Sequence, residues 1–444
     1  MIRFAPSALL IASALTPLPA LAQSGDADAM RAQITGMRAE IERLSAEVEK
    51  LSTAQANAVQ PSPVAVVAPA KADPVTEIAW KGAPEIEGPG GWSFKPRGRL
   101  MFDAGSIGLP DNLPGNDGFG SEVRRARLGF EGDMPGGFGY KFEVDFAGGD
   151  AELADAIITY GDGALKVAAG HHNTFQSLEE LTSSRFSSFM ERAAFTDAFG
   201  FERRVGLSAQ YKTGIVLMQA GLFTDNSGDL PGDAWSADGR IVLMPKVGNA
   251  QLHLGASVHH TDLPSGDEVR YRQRPLVHFT GDRFINTGSI DADSELGYGA
   301  EAAIISGPFH AVGEIFRQEV AVPGASNPGF TGGYAEAGFF LTGESRGYKS
   351  GVFDRTKPAN PVGKGGLGAF QVNVRYDYLD LSDDGIAGGT QDGYQASLIW
   401  IPTAYTRLTL NYGRLEYTDA AVPLTTGERD YGVDVIGLRT AIDF

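Results

Sequence analysis

A two-residue alternation over most of the chain constrains the fold more than any other feature. In residues 138–146, apolar side chains alternate with Lys141, Glu143 and Asp145. The same alternation recurs in residues 95–104, 205–212 and 370–378. Successive side chains of a strand point to opposite faces, so each segment predicts a strand with one apolar and one charged face.

The composition of the two faces indicates a barrel in a membrane rather than a soluble sandwich, which also alternates. Full charges recur on the polar face of strand after strand, and the apolar face is rich in Phe and Tyr. A polar lumen with an apolar, aromatic exterior is typical of membrane barrels. About 16 such segments lie between Ser93 and Phe444, a number that leaves an aqueous channel. We predict an all-β transmembrane barrel of about 16 antiparallel strands in residues 92–444.

The connections support this count, because short and long ones alternate as they do in bacterial barrels. Residues 172–202 and 262–294 are long connections. Short ones are residues 134–137, 161–163, 212–214, 245–249, 307–308 and 401–404. Residues 344–366 are an exception: they are long but fall on the short side. We expect this segment to fold into the lumen.

The N-terminus predicts export. Residues 1–22 have Arg3 at the positive end, an apolar core at 8–15 and an A-x-A cleavage site at 20–22. The alternative is a membrane anchor, but the apolar run is far shorter than the ~20 residues that span a bilayer. The mature chain is expected to begin at Gln23.

A strict heptad follows the predicted signal. Its a and d positions are Met30, Ile34, Met37, Ile41, Leu44, Val48 and Leu51. This 3.5-residue period predicts an α-helical coiled coil in residues 23–55. The alternative is a single amphipathic helix on a globular core, but no core adjoins it in sequence. Residues 56–91 are predicted to be a Pro/Ala-rich linker to the barrel.

Five collinear runs resemble one known family. They are RRARLGFEG (124–132), LEELTSSRFSSFMERA (178–193), FLTGESRGY (340–348), RYDYLDLSD (375–383) and YTRLTLNYGRLEY (405–417). They are similar to the phosphate-selective porins of the bacterial outer membrane. The resemblance implies a 16-stranded barrel, a homotrimer, a pore narrowed by infolded loops, and an N-terminal helical segment. The final Phe444 looks like the carboxy-terminal signal read by the barrel-assembly machinery.

Basic side chains on the inward faces are the candidate pore-lining, anion-binding residues. Arginine in particular matches two phosphate oxygens at once. The candidates are Arg97, Arg99, Arg125, Arg127, Arg204, Lys212, Arg270, Arg272, Arg274 and Arg375. Three of these form the RYRQRP run at 270–275, at period 2 inside a long loop. If that run is extended, all three arginines share one face.

Net charge leaves a second function open. The whole chain carries 37 basic and 55 acidic residues, and residues 1–91 account for 7 and 10 of them. The predicted barrel is therefore acidic, which suits a general or weakly cation-selective diffusion porin, with the coiled coil as a periplasmic tether. The acidic balance also disfavours nucleic acid as a partner. We expect no cofactor, no metal site and no catalytic motif. The expected partners are small anions such as phosphate, together with the lipid of the outer membrane.

Overall fold

The structure is a computed structural model that describes residues 26–57, 76–224 and 233–444. The predicted signal peptide at 1–22 lies outside the described residues, as do residues 58–75 of the predicted linker. The chain forms two units, residues 1–72 and residues 73–444. No helix of the described part is long and apolar enough to cross a membrane.

The first unit contains one 32-residue helix, α1 (Asp26–Asn57). It covers the predicted heptad. The seam side chains of Met37, Ile41, Leu44, Val48 and Leu51 are 49–66% exposed in this single chain. Self-association through this seam stays a prediction.

The second unit is built from 16 long strands. In chain order they are β1 (Trp92–Gly108), β2 (Gly118–Met134), β3 (Phe138–Asp145), β4 (Glu152–Asp162), β5 (Leu165–Asn173), β6 (Arg203–Thr213), β7 (Val216–Phe223), β8 (Trp235–Leu243), β9 (Ala250–Asp262), β10 (Ser294–Ser306), β11 (Phe309–Ala321), β12 (Gly329–Phe340), β13 (Ala369–Asp383), β14 (Ile386–Thr403), β15 (Thr406–Thr418) and β16 (Tyr431–Asp443).

The strands close into a barrel. Each pairs antiparallel with the next, and β16 returns to β1 in a register running from Asp434 opposite Gly108 to Asp443 opposite Arg99. Phe444 extends this pairing, because its N–H donates to the Gly98 carbonyl at 3.0 Å. The prediction of a 16-stranded antiparallel barrel is confirmed.

Side chains sort by face as the alternation predicts. Leu100, Phe102 and Leu128 point outward and are about half exposed, whereas Asp103 and Arg127 point inward and are buried. An apolar exterior around a charged interior leaves apolar surface for lipid and polar groups for the lumen.

The connections leave the barrel on two sides. The short-turn side holds six short turns and the connection at 341–368, which contains the predicted exception at 344–366; the long-loop side holds residues 174–202 and 263–293. The connection at 384–385 is short although it lies on the long-loop side. The short-turn side and the long-loop side are thus the two ends of the barrel.

The structure differs from the predicted linker at its end. Residues Glu77–Trp80 and Pro84–Gly88 form a β-hairpin around Gly82, which has a positive φ of 87°. The hairpin pairs with the start of β1, where Ile86 lies opposite Phe94. Only residues before this hairpin can act as a spacer.

Candidate functional site

The loop at 174–202 folds into the lumen and is fastened to the opposite wall. It contains two short helices, α2 (Leu178–Leu181) and α3 (Ala194–Ala198). The N–H groups of Leu178 and Glu179 donate to the Glu314 carboxylate on β11 at 2.8 and 2.7 Å. The Ala194 N–H donates to Asp377 on β13 at 3.0 Å. These bonds hold the loop across the barrel.

A second segment, residues 341–368, enters from the short-turn side, as expected for the exceptional connection. Arg346 donates to Glu336 on β12 at 2.9 Å. The backbone N–H of Phe353 donates to the Thr182 hydroxyl in the loop at 174–202, at 3.3 Å. The two infolded segments therefore meet inside the barrel.

Aromatic packing fills the lumen beside β10–β13. Phe195 and Phe201 of the infolded loop lie with ring centroids 5.9 and 4.8 Å from Phe316. Tyr271, in the loop at 263–293, packs at 5.2 Å from Phe330. Because this core fills the lumen beside β10–β13, the open space inside the barrel lies along the wall formed by β1–β6.

Three cavities follow that wall in succession. We call them the outer, middle and inner chambers, with volumes of about 410, 300 and 270 Å³. The outer chamber reaches the long-loop side at Arg274, and the inner one reaches the short-turn side at Lys95. Arg127 lines the outer and middle chambers, and Lys141 lines the middle and inner ones. Neighbouring chambers thus share a lining residue, and we call the row of three chambers the path.

Charge is uneven along this path. Basic and acidic residues are balanced in the outer chamber, six against six, and in the inner chamber, three against three. The middle chamber has eight basic residues: Arg97, Arg99, Arg125, Arg127, Lys141, Arg185, Arg192 and Arg203. It has three acidic residues: Glu143, Asp155 and Glu180. Positive charge is therefore concentrated in the middle of the path.

Part of this positive charge is compensated by close ion pairs. Arg127 contacts Asp145 at 2.7 Å and Glu143 at 3.0 Å. Asp155 is shared by Lys141 and Arg203, at 2.5 and 3.1 Å. Such charge-assisted contacts orient the side chains but leave little charge for a passing ion.

Arg99 and Arg125 are compensated only weakly. Their nearest carboxylates are Glu143 at 3.9 Å and Asp145 at 3.8 Å. The Nε atom of each is buried without a hydrogen-bond partner, and Arg99 donates to the Ser184 hydroxyl at 2.9 Å. Among the basic residues of the middle chamber, these two guanidiniums are therefore the least compensated.

A β-bulge explains how adjacent arginines on β2 both face the lumen. Met101 pairs with Arg125 and Phe102 with Val123, so Arg124 is the extra residue. Arg124 makes two 3.0 Å bonds to Glu191 in the infolded loop. Burial tends to raise the pKa of Glu191, but Arg124 and Arg439 together hold it well below its ordinary value.

The structure divides the ten sequence candidates into two groups. Those that line the path are Arg97, Arg99, Arg125, Arg127 and Arg274. Those that line none of the three chambers are Arg204, Lys212, Arg270, Arg272 and Arg375.

Contacts explain the positions of Lys212 and Arg375 in the second group. Lys212 donates to Ser350 at the short-turn side. Arg375 is buried between Glu179 and Glu336, at 2.7 Å from each, and so fastens the infolded loop. Beside Arg204, its neighbour Arg203 supplies the lining side chain.

The RYRQRP run alternates between buried and exposed side chains, but its first two arginines take the exposed positions rather than facing the lumen. Tyr271 and Gln273 take its buried positions, which leaves Arg270 and Arg272 exposed. Arg274 turns toward the path because its N–H donates to Asp197 at 3.0 Å. The run therefore contributes one lining arginine instead of three.

Seven basic lining residues were missed by the sequence prediction: Lys95, Arg124, Lys141, Lys166, Arg185, Arg192 and Arg203. Lys141 has a signal, since it stands on the charged face of residues 138–146. Arg185 and Arg192 lie in an irregular loop, where no periodicity indicates direction.

Comparison with known proteins gives one family. The family model described as phosphate-selective porin O and P matches residues 94–444. An uncharacterized protein of Caulobacter vibrioides is 44% identical over 99% of this chain and 93% of its own length. Porin O of Pseudomonas aeruginosa is 27% identical over 67% of this chain and 75% of its own.

Solved structures share the fold. OmpT of Vibrio cholerae matches with a TM-score of 0.53 at 12% identity, covering 83% of this chain and all of that one. An anion-selective porin from Comamonas acidovorans matches with a TM-score of 0.52 at 12% identity, covering 80% of this chain and all of that one.

Proposed function

Because the chain belongs to the phosphate-selective porin O and P family, and is thus an outer-membrane porin, we propose that it conducts small anions, with phosphate as the preferred solute. Anions enter at the outer chamber, dwell in the middle chamber and leave through the inner one. The path needs no energy source, since it is a water-filled passage between two compartments.

The middle chamber is the observation that supports this proposal. Eight basic residues face three acidic ones there, between two chambers of balanced charge. A confined excess of fixed positive charge attracts anions and repels cations, and low-dielectric walls strengthen both effects. The arginine forks of Arg99 and Arg125 suit two oxygens of one phosphate.

The proposal includes an orientation and an assembly. The short-turn side faces the periplasm, as in bacterial barrels generally, so α1 lies in the periplasm. We propose a homotrimer whose α1 seams associate with each other and can tether the barrel in the periplasm. The heptad supports association of the α1 seams, and the family resemblance alone supports three copies.

General diffusion is the second candidate. It is favoured by the balanced outer and inner chambers, where rows of both signs set up a transverse field with little net preference. On this alternative the middle chamber only orders water and counter-ions.

Planar-bilayer recordings separate the two candidates. In a KCl gradient the reversal potential should show anion preference, and added phosphate should block chloride current. Arg99→Gln and Arg125→Gln should each weaken that block by roughly 10- to 100-fold, because a charge-assisted contact contributes about 1.5–3 kcal/mol.

The matched control is Arg414→Gln, which removes an arginine from the outward face of β15 and should change neither quantity. Cation preference in the wild type, without phosphate block, would reject the phosphate proposal and leave general diffusion.

A further inference from the structure

A small cavity lies where the two infolded segments meet the wall, apart from the three chambers. We call it the junction cavity. It is lined by Arg185 of the loop at 174–202, by Arg346, Asp354 and Arg355 of the segment at 341–368, and by the wall residues Arg407 and Asp443. Its volume is about 30 Å³. Its lining residues come from three separate parts of the barrel unit, namely the two infolded segments and the wall.

Arg407 is the unusual member. Its guanidinium donates to the backbone carbonyls of Arg185, at 3.0 Å, and Ser187. Within the described part of the chain, no carboxylate lies at ion-pair distance from it. A part-buried arginine satisfied only by neutral acceptors keeps its charge uncompensated, which is costly unless a counter-ion approaches.

The charged side chains that line the junction cavity leave an excess of one positive charge. Arg346 is neutralised by Glu336, at 2.9 Å, from outside the cavity. Arg185 and Arg355 share one carboxylate, that of Asp443. The distance from Arg185 to Asp443 is 3.3 Å. Asp354 lines the cavity as a second carboxylate, without a close basic partner among the described residues. Three guanidiniums thus face two carboxylates.

Size restricts what can balance this excess. A water molecule needs roughly 10–15 Å³ of such volume, so the junction cavity of about 30 Å³ has room for an ion about as large as two or three waters. That is enough for a monatomic anion and too little for a phosphate chain.

We propose that the junction cavity binds one chloride ion, held by Arg185, Arg355 and Arg407. The ion stabilises the contact between the loop at 174–202 and the segment at 341–368. Arg185 also lines the middle chamber, so the ion helps to fix the width of the path without travelling along it.

Crystals of the full chain grown in bromide instead of chloride test this directly by anomalous scattering. One bromide peak should lie among the three arginines. Arg407→Met, which removes the uncompensated charge at similar length, should abolish the peak. Arg414→Met, on the outward face of the same strand, should leave it in place.

A second variant keeps the test decisive if Arg407→Met does not fold. Asp354→Asn changes only the infolded segment and raises the positive excess, so the peak should form at lower bromide concentration. Water alone in the wild-type cavity, or a peak unchanged in both variants, would overturn the proposal. A cation-selective channel that still binds bromide here would reject only the anion-pore proposal.

Discussion

Arg99 and Arg127 lie directly opposite each other on adjacent strands of the barrel wall. Like charges in one register pair repel, and a strand pair normally avoids them. Here Arg127 is compensated by two close carboxylates, whereas Arg99 keeps only Glu143 at 3.9 Å. The wall therefore retains a repulsion, which an anion bound as proposed would relieve.

This pair predicts opposite effects on stability. Arg99→Met should leave the barrel as stable or slightly more stable, because it removes the repulsion. Arg127→Met should destabilise it by roughly 3–5 kcal/mol, because Glu143 and Asp145 lose their close partner. Urea unfolding in lipid vesicles measures both, and equal losses would contradict the assignment of charge to Arg99.

The arginines of the loop at 263–293 should differ in how strongly they affect the anion preference of the channel. Arg274→Ala should reduce anion preference, since Arg274 lines the outer chamber. Arg270→Ala and Arg272→Ala should have little effect, because both side chains are exposed and salt screens them. Reversal potentials in a KCl gradient give the comparison. A larger effect from Arg270 would place that side chain in the path.

The contact of Glu191 in the infolded loop with Arg124 and Arg439 should resist acid. The pKa of Glu191 is held well below its ordinary value by Arg124 and Arg439, against the effect of burial. Its contribution to stability is fully present above the ordinary pKa of about 4.3 and is lost as pH falls through the lower folded value. The difference in single-channel conductance between the wild type and a variant without this charge should therefore stay constant from about pH 8 to pH 5.

Glu191→Gln is the matched variant for that experiment. It should give larger or noisier currents at every pH, because the charge is absent throughout. A wild-type conductance that changes near pH 6 would assign loop release to a different group.

The heptad of α1 should drive association of a peptide spanning residues 26–55. Ile41→Asp with Leu44→Asp places charge in the seam and should lower its sedimentation mass. Ala39→Asp with Ala46→Asp adds the same charge on the opposite face and should not. Equal masses for all three peptides would contradict a coiled coil. The barrel contacts are separate and should survive either change.

The chain terminus should matter for assembly more than for conduction. Phe444→Ala keeps the backbone bonds to Gly98 but removes the aromatic side chain, which is 38% exposed. If the assembly machinery reads it, insertion should slow while the few inserted channels conduct normally. Pulse-labelling of heat-modifiable barrel measures the rate. Phe370→Ala, another outward aromatic, serves as the control.

The barrel was predictable because its information is local. The alternation on strands such as β3 directly specifies which side chains face lipid and which face the lumen, and the strand count follows from the connections. The end of the linker was not predictable: a four-residue strand such as Glu77–Trp80 is too short to show a period.

The path was harder to predict, because it depends on contacts between residues distant in sequence. Arg375 alternates correctly, but only the folded loop shows that Glu179 neutralises it. The bulge at Arg124 shifts the period by one residue, which no composition rule indicates. Arg274 turns inward because of a bond to Asp197, 77 residues away.

The contact between Thr182 and Phe353 also orders events during biogenesis. These residues are 171 positions apart and enter the barrel from opposite sides. Their meeting point lies inside the barrel wall, so we expect the two segments to dock only after β16 has paired with β1 and the wall has closed. A newly inserted barrel is therefore expected to pass through a wide, leaky stage, and a cell that makes it is exposed to that leak until both segments dock.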